Sequence, residues 1–275
     1  MSQTTHSHVT QPAPRQTLWR VVHSEWIKLW TLRSTWITLA ITVSLTIAFG
    51  VIASYAMHSL DQPSANQAFI QGVPFGEIVI AVLAALMITS EYSSGQIRSS
   101  LVAVPNRSRL IIAKICVLAA ASWLTGAFSI LIAWLISLSF MGDQAVDLTR
   151  HEYLAFIWGS GLAFVMIALM GFAFGLLTRS TAAAITIITI LMFVIKIPLL
   201  LAAMKWKWIE KAFSFLPDSV SSALADPFAV LPSWNEKGQE GLSMVLTHSQ
   251  ALMVCAAWII IPLAVAWVLF SRRDA

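Results

Sequence analysis

Few side chains in this sequence could do chemistry, and those few stand in long apolar surroundings. Glu77 and Lys196 are the ionisable groups that lie inside stretches long enough to cross a bilayer. A charge at that depth marks a substrate path, a gate or an ion relay. Glu77 lies near one end of its stretch, where it could instead reach the interface, and Lys196 could snorkel along its own stem. Both are candidates for a pathway or gate. Covalent chemistry has no such candidates. There is no Gly-x-x-x-x-Gly-Lys-Ser/Thr loop to cradle nucleotide phosphates. His151-Glu152 lacks the second histidine of a zinc protease helix, and Gly159-Ser160-Gly161 lacks the spacing of a nucleophile elbow. His6 and His8 sit on a polar tail, and the two cysteines, Cys116 and Cys255, have no metal or disulfide spacing and read as small buried hydrophobes. No catalytic residue, metal site or cofactor is expected.

The second chemical feature is a surface. Residues 91–114 are polar and carry Arg98, Arg107, Arg109 and Lys114 against one acid, Glu91. Apolar stretches flank them on both sides, and a basic loop joining two spans belongs on the cytoplasmic side. Gly95 permits a sharp entry. Ile97, Leu101 and Val104 recur at i, i+4 and i+7, a small apolar stripe that suits a partner's cleft. Pro105 ends the stripe, and Arg98 is placed to pair with Glu91 or with an acid on the partner. Glu91, Gly95, Ile97, Arg98, Leu101, Val104 and Pro105 are therefore the expected docking residues for a soluble partner.

The elements that must hold these groups follow from hydropathy. The chain has 275 residues, 58% of them hydrophobic and only 11% charged, with a mean hydropathy of +0.77. Soluble domains carry about 25% charged residues, so a polytopic all-α membrane protein is the class that fits. Six spans are expected at 36–57, 73–90, 111–140, 153–177, 182–204 and 250–270. They form one membrane domain, 18–275, after a disordered, uncleaved tail over 1–17. Before the first span, Trp19, Val22, Trp26, Leu29 and Trp30 share one helical face and Arg20, Ser24, Lys28 and Thr31 the other. A helix lying in the headgroup plane, with Trp19, Trp26 and Trp30 as its anchors, is expected. Pro198 should kink the fifth span. Gly171 and Gly175 have a spacing that lets helix backbones meet. Residues 205–249 hold several Trp and Phe between prolines and read as short helices at the interface. Eleven Lys and Arg fall on the side of the termini and the 91–114 loop, and five on the other. That bias puts both termini in the cytoplasm, and the net charge of +4 is thus a topology signal rather than one for nucleic acid.

Three stretches together resemble the bacterial ABC-2 permeases of ABC transporters. They are Ser24-Glu-Trp-Ile-Lys28 with Leu32-Arg-Ser-Thr-Trp36, then Ser90-Glu-Tyr-Ser-Ser-Gly-Gln-Ile-Arg98 with Pro105 and Lys114 downstream, and Leu216-Pro217 with the basic ending Ser271-Arg-Arg-Asp-Ala275. Gln96 stands where a threonine is commoner. The resemblance covers the chain after Thr17. It implies a six-helix half-transporter that pairs with a second permease copy or a homologous permease. It also implies an elbow helix over Leu18–Thr31 and a coupling helix after the second span that contacts a separate ATP-binding cassette ATPase. ATP hydrolysis would then belong to that partner, and the apolar interior leans towards lipid-like, drug or peptide-antibiotic cargo. An ion-coupled secondary transporter and a non-transporting membrane anchor or assembly factor are the alternatives.

Overall fold

The computed structural model describes residues 17–60, 65–104, 106–142, 145–148, 153–203, 205–206, 209, 212–226, 231–234, 240–243 and 246–272. The expected tail up to residue 16, Pro105, and residues 143–144 and 149–152 of the acidic loop before the fourth span lie outside them. In chain order the described helices are α1 (Leu18–Thr31), α2 (Arg33–Ser59), a 3-10 segment (Ala65–Gly72), α3 (Val73–Ser93), α4 (Gln96–Ala103), α5 (Arg107–Met141) and α6 (Leu154–Thr178). There follow α7 (Thr181–Thr189), a π-helical segment (Ile190–Val194), α8 (Lys196–Ala203), α9 (Pro217–Ala225) and α10 (His248–Arg272). Six of these stretches are long and apolar enough to cross a membrane, the fifth being 181–199.

The bundle is built around α6, which is enclosed on nearly every side. α3 packs along it, and glycine explains how closely. A Cβ on Gly171 would stand 2.8 Å from the Ala81 carbonyl oxygen, and one on Gly175 would stand 2.9 Å from Ile88. The Gly171 and Gly175 spacing is thus the seam between α3 and α6. α2 shows the logic of a helix in lipid. Its buried face is Thr35, Leu39, Thr42, Thr46, Gly50 and Ser54, small and mostly hydroxylic. Trp36, Ile37, Ile41 and Ile52 point away from the protein. Lipid is as apolar as leucine, so the protein side is chosen for close approach rather than for hydrophobicity. The hydroxyls of Thr38, Thr42 and Thr46 each donate to the carbonyl four residues back at 2.8 Å, so they add no unsatisfied group.

The fifth stretch is a broken helix. The Ile195 amide donates to the Ile190 carbonyl, a five-residue step. Pro198 lies just beyond, and its ring excludes the carbonyl of Val194 four residues back. The expected kink therefore takes the form of a widened π turn on the N-terminal side of the proline.

The segment before α10 is not all helical. α9 begins at Pro217, a first-turn residue that needs no amide partner. Leu231–Trp234 (β1) and Glu240–Ser243 (β2) pair as an antiparallel ribbon, with Pro232 opposite Leu242. In a two-stranded ribbon both strands are edges, so a proline is tolerated. Cys255 is buried as expected, but Cys116 is exposed on the side of α5.

Two ends of the bundle can be told apart by contacts. At one end lie α1, α4, the starts of α5 and α7, and the ends of α3 and α10. There the Arg107 guanidinium lies 5.9 Å from the centre of the Phe270 ring. At the other end α9 closes over the starts of α3 and α6. A Cβ on Gly159 would overlap the Leu224 carbonyl oxygen, so α9 lies directly on the α6 backbone.

Candidate functional site

The α3–α4 corner is made by one residue. Gly95 has φ +69°, a left-handed conformation that costs an L side chain steric strain, and a Cβ there would meet nothing within 4 Å. Glycine is needed here for its backbone angle and not for space. The turn lays α4 back against the body. Ile97 is only 3% exposed, and Leu101 and Val104 pack on Val21, Leu110 and Ala113. The structure thus turns the Ile97, Leu101 and Val104 stripe inward, where it fastens α4 to α1 and α5. What α4 presents outward is Arg98, Ser99 and Val102, the last 83% exposed.

The last turn of α3 is a junction. Glu91 is buried, and its Oε1 accepts from Lys114 Nζ at 2.7 Å and also from Lys28. Lys114 is wholly buried on α5, and its Nζ also donates to Glu25 Oε2 on α1 at 2.7 Å. Of the two partners expected for Arg98, Glu91 is taken by two lysines from other helices, and Arg98 is exposed. Lys114, expected on the polar loop, is an interior residue. Two residues before Glu91, the Thr89 hydroxyl hydrogen-bonds that of Thr181 on α7. One residue after it, the Tyr92 ring lies 4.9 Å under the guanidinium of Arg179. Arg179 is the residue at φ 55° that ends α6.

α1 meets α5 through Val21, Glu25 and Leu29, one residue per turn. Trp26 and Trp30 are half-buried beside that face, and Trp19 is 76% exposed. The tryptophan face anticipated from the sequence is thus the flank of the helix, and its buried line runs through an acid. The Trp36 indole donates to the Trp30 carbonyl at 2.9 Å, fixing the bend between α1 and α2.

Glu77 and Lys196 are brought to one element at the opposite end. Glu77 is wholly buried on α3 and accepts from the Ser221 hydroxyl of α9. Its second oxygen has no hydrogen-bond partner among the described residues. Lys196, at the start of α8, pairs with Asp218, one turn earlier on α9. Ser221 and Asp218 were not anticipated. Neither stands in a membrane-length stretch, and an ordinary loop would carry the same residue types.

Six membrane-length helices, α6 enclosed among the others, with an amphipathic helix and a short loop helix packed at one end, define a multi-pass membrane protein. The chain belongs to the ABC-2 transporter family: the family model described as ABC-2 family transporter protein matches residues 19–275. No curated protein matches the chain.

Proposed function

We propose that the chain forms the translocation pathway of an ATP-driven exporter, as a dimer with a second copy or a homologous permease, and that a separate ATP-binding cassette ATPase drives it by docking on α4. Family membership supports the permease role. The observation that carries the docking site is the orientation of α4, fastened inward by Ile97, Leu101 and Val104 and offering Arg98, Ser99 and Val102 to solution. Gly95 and Glu91 then set the corner rather than touch the partner, and Pro105, outside the described residues, follows it. Both termini and this end of the bundle face the cytoplasm by the excess of Lys and Arg there, and Trp19, Trp26 and Trp30 anchor α1 at the headgroups. The chain performs no covalent chemistry, since hydrolysis of ATP belongs to the partner.

At the far end, Glu77 with Ser221 and Lys196 with Asp218 both hold α9 over the starts of α3 and α6. That arrangement supports a gate role for Glu77 and Lys196, with α9 as the moving cover. The low charge of the interior favours amphipathic cargo such as a lipid, a drug or a peptide antibiotic. The test is reconstitution of the permease with its ATPase in proteoliposomes. ATP-dependent movement of a fluorescent amphiphile is the expected result. Movement that needs an ion gradient and no ATP would assign the chain to secondary transport, and ATPase binding with no movement under any condition would assign it to anchoring.

A further inference from the structure

We propose that Glu25, Lys28 and Lys114 are positioning residues that, with Glu91, lock α1 and the α3–α4 corner into one unit with a fixed register. The contact between α1 and α5 has a layered build. At one level Val21 packs on Leu110 and Ala113, and Leu101 and Val104 of α4 join the same cluster. Two turns along, Leu29 packs on Val117 and Ala121. Between these apolar layers Glu25 meets Lys114. Apolar residues spaced one turn apart would permit α1 to slip along α5 by about 5.4 Å with little loss of contact. The acid does not permit it. A slip would leave Lys114 buried beside fewer carboxylates and Glu25 beside an apolar layer, and an unpaired buried charge is strongly disfavoured. Burying ion pairs is a poor way to gain stability but a good way to specify register.

The same lysine holds Glu91 at 2.7 Å, and Lys28 returns from α1 to that carboxylate. Four charges from three helices thus close a neutral circuit around the end of α3. Gly95 follows four residues later and α4 immediately after. A displacement of α4 is therefore transmitted to α1 through Glu91 as well as through Val21. This role rests on the reading of α4 as the docking helix only for what sets it in motion; the locking itself is a property of the permease alone.

The test uses the whole permease in lipid nanodiscs, without ATPase, read by amide hydrogen exchange. Lys114→Met keeps the length of the side chain and removes its charge. It is expected to speed exchange in α1 and α4 at least tenfold while α6 stays as in the wild type. Adding Glu25→Gln leaves a neutral pair, Lys28 on Glu91, and is expected to recover protection in α4 while α1, with no charge left to pin it on α5, stays loose. Lys28→Met, at a partly exposed position, is expected to act in the same direction but more weakly, and keeps the question answerable if Lys114→Met does not insert. Wild-type exchange in α1 and α4 of Lys114→Met would overturn the proposal. So would an equal rise across α1, α4 and α6, or a double variant looser than Lys114→Met. In the presence of ATPase, lost protection with undiminished ATP-dependent transport would refute docking on α4 and leave the lock standing. Retained protection would refute the lock whatever the ATPase does.

Discussion

The two faces of α4 make opposite demands, and substitution can separate them. Val102 is 83% exposed, so nearly all of its side chain is available to a partner. Val102→Ala removes two carbons. At about 0.8 kcal/mol per buried CH₂, scaled by that exposure, the loss is about 1.3 kcal/mol, or roughly tenfold in Kd. Val102→Asp adds a charge with no partner in an interface, about 3 kcal/mol or more, which would abolish binding at micromolar protein. Neither variant should change the thermal stability of the permease alone. Ile97 is the converse. It is 3% exposed in the main apolar core, and truncating such a residue to alanine costs about 2–5 kcal/mol. Ile97→Ala should therefore loosen α4 on the permease before any ATPase is present. The assay is titration of nanodisc-embedded permease with the ATPase that co-purifies with the wild type, followed by fluorescence anisotropy, beside a melting curve of each permease alone. Wild-type affinity of Val102→Asp would refute docking on this face. A wild-type melt and α4 protection in Ile97→Ala would refute the inward orientation itself.

Three further outcomes follow from the packing. Gly171→Leu should force α3 and α6 apart, because even a Cβ would stand 2.8 Å from the Ala81 carbonyl oxygen; overpacking costs about 1–3 kcal/mol, seen as a lower melting temperature in detergent. Gly95→Ala has room for its methyl but not for its φ of +69°, so it should cost about 1 kcal/mol, read as faster exchange in α4 with α6 unchanged. Ser221→Ala removes the hydrogen bond that Glu77 accepts from α9 and leaves a buried carboxyl unsatisfied, a penalty of about 1–3 kcal/mol; it should raise ATP-independent leak of a fluorescent amphiphile from proteoliposomes while ATPase co-purification is unchanged.

The six spans were legible because crossing a bilayer demands only length and apolarity, and both are local properties of the chain. Which face of each span is buried was less so. On α2 the interior side is Thr42, Thr46, Gly50 and Ser54, the reverse of what a hydrophobic pattern signals in water. The apolar stripe of α4 was found correctly as a stripe, but Ile97, Leu101 and Val104 look the same in sequence whether they meet a partner or their own bundle. The charge circuit was hidden for another reason. Glu25 and Lys114 are 89 residues apart, so neither carries a local mark of the other. A hint was available: Glu25 stands midway between Val21 and Leu29 on what the fold makes the buried line of α1. The β1–β2 ribbon was missed because Pro232 argues against a strand wherever the strand is not an edge.

Both polar clusters hang on α3. Glu77 lies in its second turn and Glu91 in its last, roughly 21 Å apart along the axis at 1.5 Å per residue. Between them the helix is held against α6 at Ala81, Ala85 and Ile88 by contacts that admit no side chain on Gly171 or Gly175. A helix packed so closely to a second backbone has little freedom to bend, since bending would need one of the recognised defects, such as a proline or a π turn, within that stretch. α3 has its one proline, Pro74, in the first turn, where it disrupts nothing. The fifth span has both defects, Pro198 and the widened turn at Ile190–Val194, beside Lys196. The two elements that reach α9 are thus of opposite kinds. In the proposed gate, α3 would carry a displacement of the α4 corner to Glu77 as the movement of a rod. The broken helix would yield locally in that gate and keep Lys196 on Asp218 while Glu77 shifts relative to Ser221.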